Sequence, residues 1–129
     1  MPDQTILLAE DDDMVRSFVC SVLKGHGYRV LPAVNGIEAL RLARQFGPHR
    51  IDLLLTDVDM PALNGVQLVR RLRQLRPDLK ILYMTGHRGE IVDDLRDDSA
   101  VIEKPFAYMT LIRGVDACLS EELSLRVEA

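Results

Sequence analysis

The chain alternates short apolar runs with longer segments in which apolar residues recur every three or four positions. The runs are rich in β-branched and leucine side chains, which is typical of strands, and the longer segments have the period of amphipathic helices. The predicted strands cover residues 5–9, 28–31, 51–56, 79–84 and 101–102. The predicted helices cover residues 14–25, 35–47, 64–76, a short acidic stretch near 91–95, and 111–119.

Helix starts and short connections indicate how these elements are joined. Asn35 and Glu38 have the spacing of a capping box, and so do Asn64 and Gln67. The third run is apolar apart from Asp52, which is expected of a strand covered on both faces. Short connections between alternating strands and helices favour parallel strands joined by right-handed crossovers. The sequence therefore predicts an α/β fold, a doubly wound five-stranded parallel sheet with helices on both faces.

Length and charge restrict the functions that this fold can serve. With 129 residues, of which 47% are hydrophobic, the chain fits one domain. We expect a core over about residues 4–120, a short polar tail to 129, and no output domain. The net charge of −4 disfavours direct binding to nucleic acid or to an anionic membrane, and we interpret the basic run at Arg70, Arg71, Arg73 and Arg76 as a solvated helix face. The sequence has neither an export signal nor a run near the ~20 residues of a membrane span, so we expect a cytoplasmic protein.

Polar and charged residues stand where the predicted strands end. Glu10 and Asp11 follow the first strand and Asp57 follows the third, while Thr85 and Lys104 follow the fourth and fifth. In doubly wound sheets the functional crevice lies at the carboxyl ends of the strands. We therefore expect these five side chains to converge on one edge of the sheet.

Three carboxylates, a hydroxyl and an ammonium group suit phosphoryl transfer. Glu10, Asp11 and Asp57 offer the hard oxygen ligands that Mg²⁺, or Mn²⁺ in its place, binds together with water and phosphate oxygens. With the metal and Lys104 nearby, Asp57 stays ionised and can act as a nucleophile. Thr85 and Lys104 suit the oxygens of the transferred group. The predicted product is an acyl phosphate on Asp57.

The first strand runs into four successive acids, from Glu10 to Asp13. Like charges this close raise one another's pKa and oppose folding unless a positive charge lies among them. We interpret the divalent cation as that counter-charge. Asp12 and Asp13 are then not ligands, because one of them is expected to cap the first helix and the other to face solvent.

Four pieces of sequence occur in a recognisable order and spacing: LLAEDDD, LLLTDVDMPALNG, ILYMTG and IEKPF. In these pieces, over nearly its whole length, the chain resembles the receiver domain of bacterial two-component response regulators. The resemblance implies a flavodoxin-like (βα)5 fold and a signalling switch that catalyses only its own phosphorylation and dephosphorylation. It implies that a histidine kinase or phosphotransfer protein supplies the phosphoryl group to Asp57. It also implies that Glu10 and Asp11 bind Mg²⁺ with Asp57, and that the backbone carbonyl of Asp59 completes the metal site.

The resemblance further implies how the phosphoryl group is held and sensed. Thr85 is expected to bind it and Lys104 to pair with it, and the peptide bond before Pro105 is often cis in this family. Family members usually couple the hydroxyl to an aromatic side chain on the fifth strand, where this chain has Val101. Because valine cannot swing a ring, we expect output to use backbone and helix shifts instead.

Three further positions bear on regulation. Gly86 stands where a small residue with a side chain is commoner, and glycine widens the conformations open to the loop. Asp59 and His87 flank the site at positions that tune phosphoryl lifetime in the family. We expect altered hydrolysis at this site, without a predicted sign.

Two other function classes compete with the switch. The Asp57-Val58-Asp59 sequence resembles the DxD pair of haloacid dehalogenase-type phosphohydrolases, although in that family the pair lies near the N-terminus. A receiver-like module that only binds proteins would be expected to lack Asp57, Thr85 or Lys104. Taken singly, each of these residues is more often a cap, turn or loop residue, and only their combination favours chemistry.

Partners are expected on the surface. A stand-alone regulator and the receiver of a hybrid kinase both fit the sequence. By resemblance, the surface formed by the fourth predicted helix, the fifth strand and the last helix contacts the downstream protein. Acidic residues there favour a basic partner, and they are Asp93, Asp94, Asp97 and Asp98.

Overall fold

The computed structural model describes residues 4–86 and 100–128, with side chains described up to residue 120. Within these ranges five strands and four helices follow one another along the chain. In order they are β1 (Thr5–Ala9), α1 (Asp13–Gly25), β2 (Arg29–Ala33), α2 (Gly36–Gln45), β3 (Leu53–Asp57), α3 (Gly65–Leu75), β4 (Lys80–Thr85), β5 (Ala100–Glu103) and α4 (Tyr108–Glu128).

All five strands are parallel and form one sheet in the order β2-β1-β3-β4-β5. The order reverses between β1 and β3, which is the switch point of a doubly wound sheet. In register, Ile6 lies opposite Leu53, and Leu54 lies opposite Ile81. The predicted fold class is confirmed, and the switch point lies between the strands that carry Glu10 and Asp57.

The buried side chains form two clusters, one on each face of the sheet. Alternate residues of each strand point to opposite faces, so Leu54 belongs to one cluster and Leu55 to the other. Helices α2 and α3 cover the first face, and helices α1 and α4 cover the second. Burial on both faces explains why β1 and β3 are mainly apolar, with buried Thr5 and Thr56 as polar residues before the strand ends.

Most element boundaries differ from the predicted ones by a few residues, and the last helix is longer than predicted. Strand β2 extends to Ala33 and includes Pro32, which an edge strand tolerates because the missing N–H removes no ladder bond on the open side. Helix α4 continues to Glu128, beyond the predicted core limit at residue 120. The short helix predicted near residues 91–95 lies outside the described residues. No helix in the described ranges is long and apolar enough to cross a membrane.

The two predicted capping boxes have different outcomes. At α3, the Asn64 side chain accepts from the Gln67 N–H at 2.9 Å and the Gln67 side chain accepts from the Asn64 N–H at 3.0 Å. At α2, the Asn35 side chain accepts from the Glu38 N–H at 2.8 Å, but the Glu38 carboxylate accepts from Val34 instead. Only the α3 start is a reciprocal capping box.

The basic run on α3 is not uniformly a solvated face, which corrects the interpretation of Arg76. Arg70 and Arg71 are exposed. Arg76 instead donates to the carbonyl oxygens of Ala43, Gly47 and His49 at 3.0, 2.8 and 2.8 Å. A charged guanidinium thus satisfies three carbonyls around the C-terminus of α2, where a cation is favoured by the helix dipole.

We expect Arg76→Met to lower the free energy of unfolding by about 1 to 2 kcal/mol, because carbonyls that lose a charged donor are left partly desolvated. Urea unfolding measures the loss. Arg70→Met removes an exposed arginine from the same helix and should stay within about 0.5 kcal/mol of the parent. Equal unfolding midpoints for the two variants would contradict the role assigned to Arg76.

Candidate functional site

The predicted side chains meet at the carboxyl edge of the sheet. Glu10, Asp57 and Thr85 are buried there, at the ends of β1, β3 and β4. The Lys104 ammonium lies 2.8 Å from Glu10 Oε1 and 3.2 Å from Asp57 Oδ2. The Lys104 backbone N–H donates to the Thr85 carbonyl at 2.8 Å, which joins the ends of β4 and β5. Residues separated by as many as 94 positions are therefore in direct contact.

Glu10 is held on every polar atom of its backbone and carboxylate. Its N–H donates to the Ala33 carbonyl at 3.1 Å, and Oε2 accepts from the Asp12 N–H at 3.0 Å. Arg16 donates to its carbonyl at 2.8 Å, and Lys104 occupies Oε1. Complete burial raises the pKa of Glu10, and the bond from Lys104 only partly opposes this effect.

Asp57 is the last residue of β3 and is 5% exposed. Burial raises its pKa, while the charge and hydrogen bond of Lys104 act in the opposite direction. Its Oδ1 accepts from the Asp59 N–H at 3.2 Å. Although burial alone would lower the pKa of Lys104, the hydrogen bond to Glu10 and the charge of Asp57 raise it. One ammonium therefore serves two buried carboxyl groups.

The three acids named from the sequence have the proximity that a metal ion requires. Glu10, Asp11 and Asp57 each present a carboxylate oxygen, and these oxygens lie within 4.8 Å of one another. Asp11 is exposed, so the cluster opens to solvent on that side. A small, oxygen-only and partly hydrated site is what Mg²⁺ prefers. The residues present therefore fit this ion.

The other two acids of the run divide as the sequence predicted. Asp12 is the N-cap of α1 and accepts from the N–H groups of Met14 and Val15 at 2.9 and 3.1 Å. The Asp13 side chain is 87% exposed and accepts from Arg16. Two protein cations, Lys104 and Arg16, thus lie beside the acidic run, and its carboxylates can also bind a metal ion. The sequence interpretation had named only the divalent cation as counter-charge.

The residues proposed to sense the site lie around β4 and β5. Val101 is half-buried, lies opposite Tyr83 in the β4–β5 register and packs against the core cluster of that face. An added Cβ at Gly86 would meet no atom within 4 Å, so space does not require glycine there. The Lys104–Pro105 peptide bond is cis. His87 lies outside the described residues.

Two residues that matter to the site's geometry were missed from sequence. Gly65, the first residue of α3, lies so close to β3 that an added Cβ would collide with the Asp57 carbonyl. A glycine directly after the N-cap Asn64 could have indicated a close approach of the backbone, but the sequence analysis did not use it. Arg16 gave no such signal, because an arginine in an amphipathic helix is ordinarily a solvated residue.

An apolar groove of about 430 Å³ borders the site. It is lined by Met14, Val15, Phe18, Lys104, Pro105 and Phe106. The Met14 side chain is 83% exposed although it is apolar. Exposed apolar residues beside a polar site are typical of a surface that contacts another protein.

Comparison with known proteins agrees with this geometry. The family model for the response regulator receiver domain matches residues 6–116. The response regulator receiver protein CpdR of Brucella abortus is 36% identical over 117 residues, which are 88% of this chain and 95% of that protein. The sensor kinase CckA of Brucella abortus is 33% identical over 121 residues, which are 92% of this chain but 13% of the kinase. The crystal structure of a response regulator receiver protein from Sinorhizobium medicae superposes with a TM-score of 0.82 at 30% identity, covering 92% of this chain and 95% of that one.

Proposed function

Because the chain belongs to the response regulator receiver domain family, we propose that it is a phosphorylation-dependent switch of a two-component system with Asp57 as phosphoryl acceptor. The family is a signalling module rather than a conventional enzyme. One observation carries the assignment of the acceptor. The Lys104 ammonium contacts both Glu10 and Asp57 at the switch point of the sheet, where Asp11 also approaches within metal-binding range.

The proposed reaction uses Asp57 as a nucleophile. A carboxylate oxygen of Asp57 forms a bond to the phosphorus of a phosphohistidine, and the bond from phosphorus to the histidine nitrogen breaks. The Lys104 ammonium and the Thr85 hydroxyl would bind oxygens of the transferred group. Mg²⁺, held by Glu10, Asp11, Asp57 and the Asp59 carbonyl, would offset the negative charge of those oxygens.

Ionisation of Asp57 is a requirement of this chemistry. Burial raises its pKa, which alone would favour the protonated and unreactive form. The ammonium of Lys104 at 3.2 Å opposes this shift, and a bound divalent cation would oppose it further. We infer that Lys104 and the metal together keep the acceptor reactive at neutral pH.

The phosphoryl donor is proposed to be a histidine kinase or phosphotransfer protein. The likeness to CpdR and to part of CckA supports a partner of this class. The groove beside Lys104 offers a donor protein apolar contacts near the acceptor. Both a stand-alone regulator and a receiver within a hybrid kinase have relatives among the proteins compared. A single receiver domain over about residues 4–120, in the cytoplasm, stays our prediction.

The output surface is proposed by resemblance. It includes Val101 on β5 and helix α4. The acidic residues Asp93, Asp94, Asp97 and Asp98, which the sequence places on the same surface, lie outside the described residues. Because Val101 has no ring to swing, output is proposed to depend on backbone and helix shifts. The haloacid dehalogenase-type alternative receives no support from the relatives, which are receivers and regulators.

We expect the chain to gain one phosphoryl group from a small acyl-phosphate donor when Mg²⁺ is present, and to gain none when the metal is chelated. The reason is that three carboxylates within 4.8 Å repel an anionic donor until a cation neutralises them. Intact mass measures the gain, and addition of excess Mg²⁺ to the chelated sample should restore it. Metal-independent phosphorylation would contradict the proposed metal site.

A further inference from the structure

Arg16 contacts Glu10 of the proposed site through the backbone carbonyl, whereas Lys104 contacts its carboxylate, and Arg16 has no part in the phosphoryl transfer proposed above. It lies in the first turn of α1, and its side chain is 18% exposed. One guanidinium nitrogen donates to the Glu10 carbonyl at 2.8 Å. The other contacts Asp13 Oδ1 at 2.5 Å. A single side chain thus links Glu10, the residue after β1, to Asp13, the first residue of α1.

The location of Arg16 runs against local preference. A cation near the N-terminus of a helix is disfavoured by the helix dipole, and this arginine lies three residues after the first residue of α1. Most of its side chain is covered, and the guanidinium bonds to Glu10 and Asp13 at the helix start. An arginine held against the helix dipole beside a group of carboxylates is a candidate for a role at a functional site.

The hydrogen bond from Arg16 gives a partner to the last polar backbone atom of Glu10, its carbonyl oxygen. The Glu10 N–H is held by Ala33, and its carboxylate is held by Lys104 and by the Asp12 N–H. The carbonyl bond from Arg16 fixes the peptide group that leads from Glu10 to Asp11. The orientation of both proposed metal-binding carboxylates depends on that peptide group.

On the basis of the proposed function, we propose that Arg16 is a positioning residue for the metal site. Its forked guanidinium holds the Glu10–Asp11 peptide group in place and keeps Asp13 turned outward, so that only two acids of the run face Asp57. The planar fork matters, because it reaches a carbonyl and a carboxylate in one rigid geometry, whereas an ammonium is a point donor. Partners that orient metal ligands typically contribute ten- to a hundred-fold to metal affinity.

Positioning and simple electrostatics predict opposite signs. Arg16 is a cation beside a cation site, so its charge alone repels Mg²⁺, and removing the charge would tighten binding. If Arg16 positions the ligands, removing it loosens them and weakens binding. Titration calorimetry of Mg²⁺ on the full chain therefore distinguishes the two effects.

We expect Arg16→Met to raise the Kd for Mg²⁺ about ten-fold or more, and Arg16→Lys to give an intermediate value because it keeps the charge but loses the fork. Arg41→Met, which removes an exposed arginine paired with Glu38 on α2, should leave the Kd unchanged. An unchanged or lower Kd in Arg16→Met would overturn the proposal.

A second measurement separates this proposal from the metal site on which it rests. In metal-free protein, amide hydrogen exchange at Asp12, whose N–H bonds to Glu10, should accelerate about ten-fold or more in Arg16→Met. Exchange at Leu55 in the centre of the sheet should not change, which distinguishes local loosening from general destabilisation. Unchanged exchange at Asp12 would overturn positioning. A parent chain that binds no Mg²⁺ would refute the metal site, while the exchange result would still decide the role of Arg16.

Discussion

Replacement of Asp57 by asparagine is expected to abolish phosphorylation of the chain. The amide is close in size to the carboxylate and can still accept from the Asp59 N–H, but it offers no anionic oxygen to attack phosphorus. Under conditions in which the parent gains one phosphoryl group, Asp57→Asn should gain none. This corresponds to a rate at least about 100-fold lower, since removal of a nucleophile costs far more than removal of a supporting contact. Intact mass after incubation with Mg²⁺ and an acyl-phosphate donor gives the answer.

Asp59→Asn is the matched control for this experiment. Asp59 is exposed, and its proposed metal contact uses the backbone carbonyl, so the variant should still gain one group, although at a changed rate. A dehalogenase-type hydrolase would behave differently, because the second acid of its DxD pair is needed for turnover of substrate. Phosphorylation that persists in Asp57→Asn would refute Asp57 as acceptor, whether or not Asp59→Asn is phosphorylated.

Replacement of Lys104 by methionine is expected to destabilise the metal-free fold at neutral pH. Its ammonium is the cation shared by Glu10 and Asp57, and its removal leaves the two buried carboxyl groups without that positive charge, each keeping one backbone N–H donor. Breaking a buried pair on one side is costly, and we expect a loss of about 2 kcal/mol because 22% of the Lys104 side chain remains exposed. Urea unfolding at pH 7 measures the loss. Lys24→Met, an exposed lysine in the last turn of α1, should cost about 0.5 kcal/mol or less.

The pH dependence of this variant has a definite sign. Burial raises the folded-state pKa of both Glu10 and Asp57. Their protonation therefore adds to the free energy of unfolding below the ordinary carboxyl pKa, and this added stability is lost as the pH rises through the raised pKa values. Without Lys104, the free-energy cost of burying the two ionised carboxylates at neutral pH grows. The stability difference between parent and variant should therefore shrink from pH 7 toward about pH 4, where the carboxyls take up protons.

Mg²⁺ provides a second way to test the same charge balance. A cation bound among the three carboxylates would replace the charge that Lys104→Met removes, so saturating Mg²⁺ should recover most of the lost stability. A deficit that is independent of both pH and Mg²⁺ would show that Lys104 acts through packing of its aliphatic stem instead of its charge.

Much of the candidate site could be anticipated from the sequence because strand ends in a parallel sheet share one edge. Glu10, Asp57, Thr85 and Lys104 each follow an apolar run, and topology alone brings such positions together. The Asn64–Gln67 capping box was also predictable, since both of its bonds join residues three apart. A cap at Asp12 or Asp13 was predictable for the same reason, and the structure assigns it to Asp12, which accepts from Met14 and Val15.

Other features could not be read from the sequence. Glu38 has the spacing of a capping box, but its carboxylate accepts from the Val34 N–H and not from the Asn35 N–H. Which of the two N–H groups it reaches depends on the backbone conformation before α2. Arg76 looked like a member of a solvated basic run, yet it binds carbonyls 27 to 33 residues away. The collision that requires glycine at position 65 depends on how closely α3 approaches β3.

The sequence by itself therefore determined the alternation of strands and helices, the parallel doubly wound sheet, the polar residues at the strand ends and the start of α3. These features follow from periodicity and from interactions between residues a few positions apart. Only the tertiary structure decided that Lys104 lies between Glu10 and Asp57, across 94 and 47 positions, and that Arg16 joins the first strand to its helix. Such contacts depend on strand register, helix approach and side-chain direction, which are set by packing of the whole core and have no signature in the local pattern.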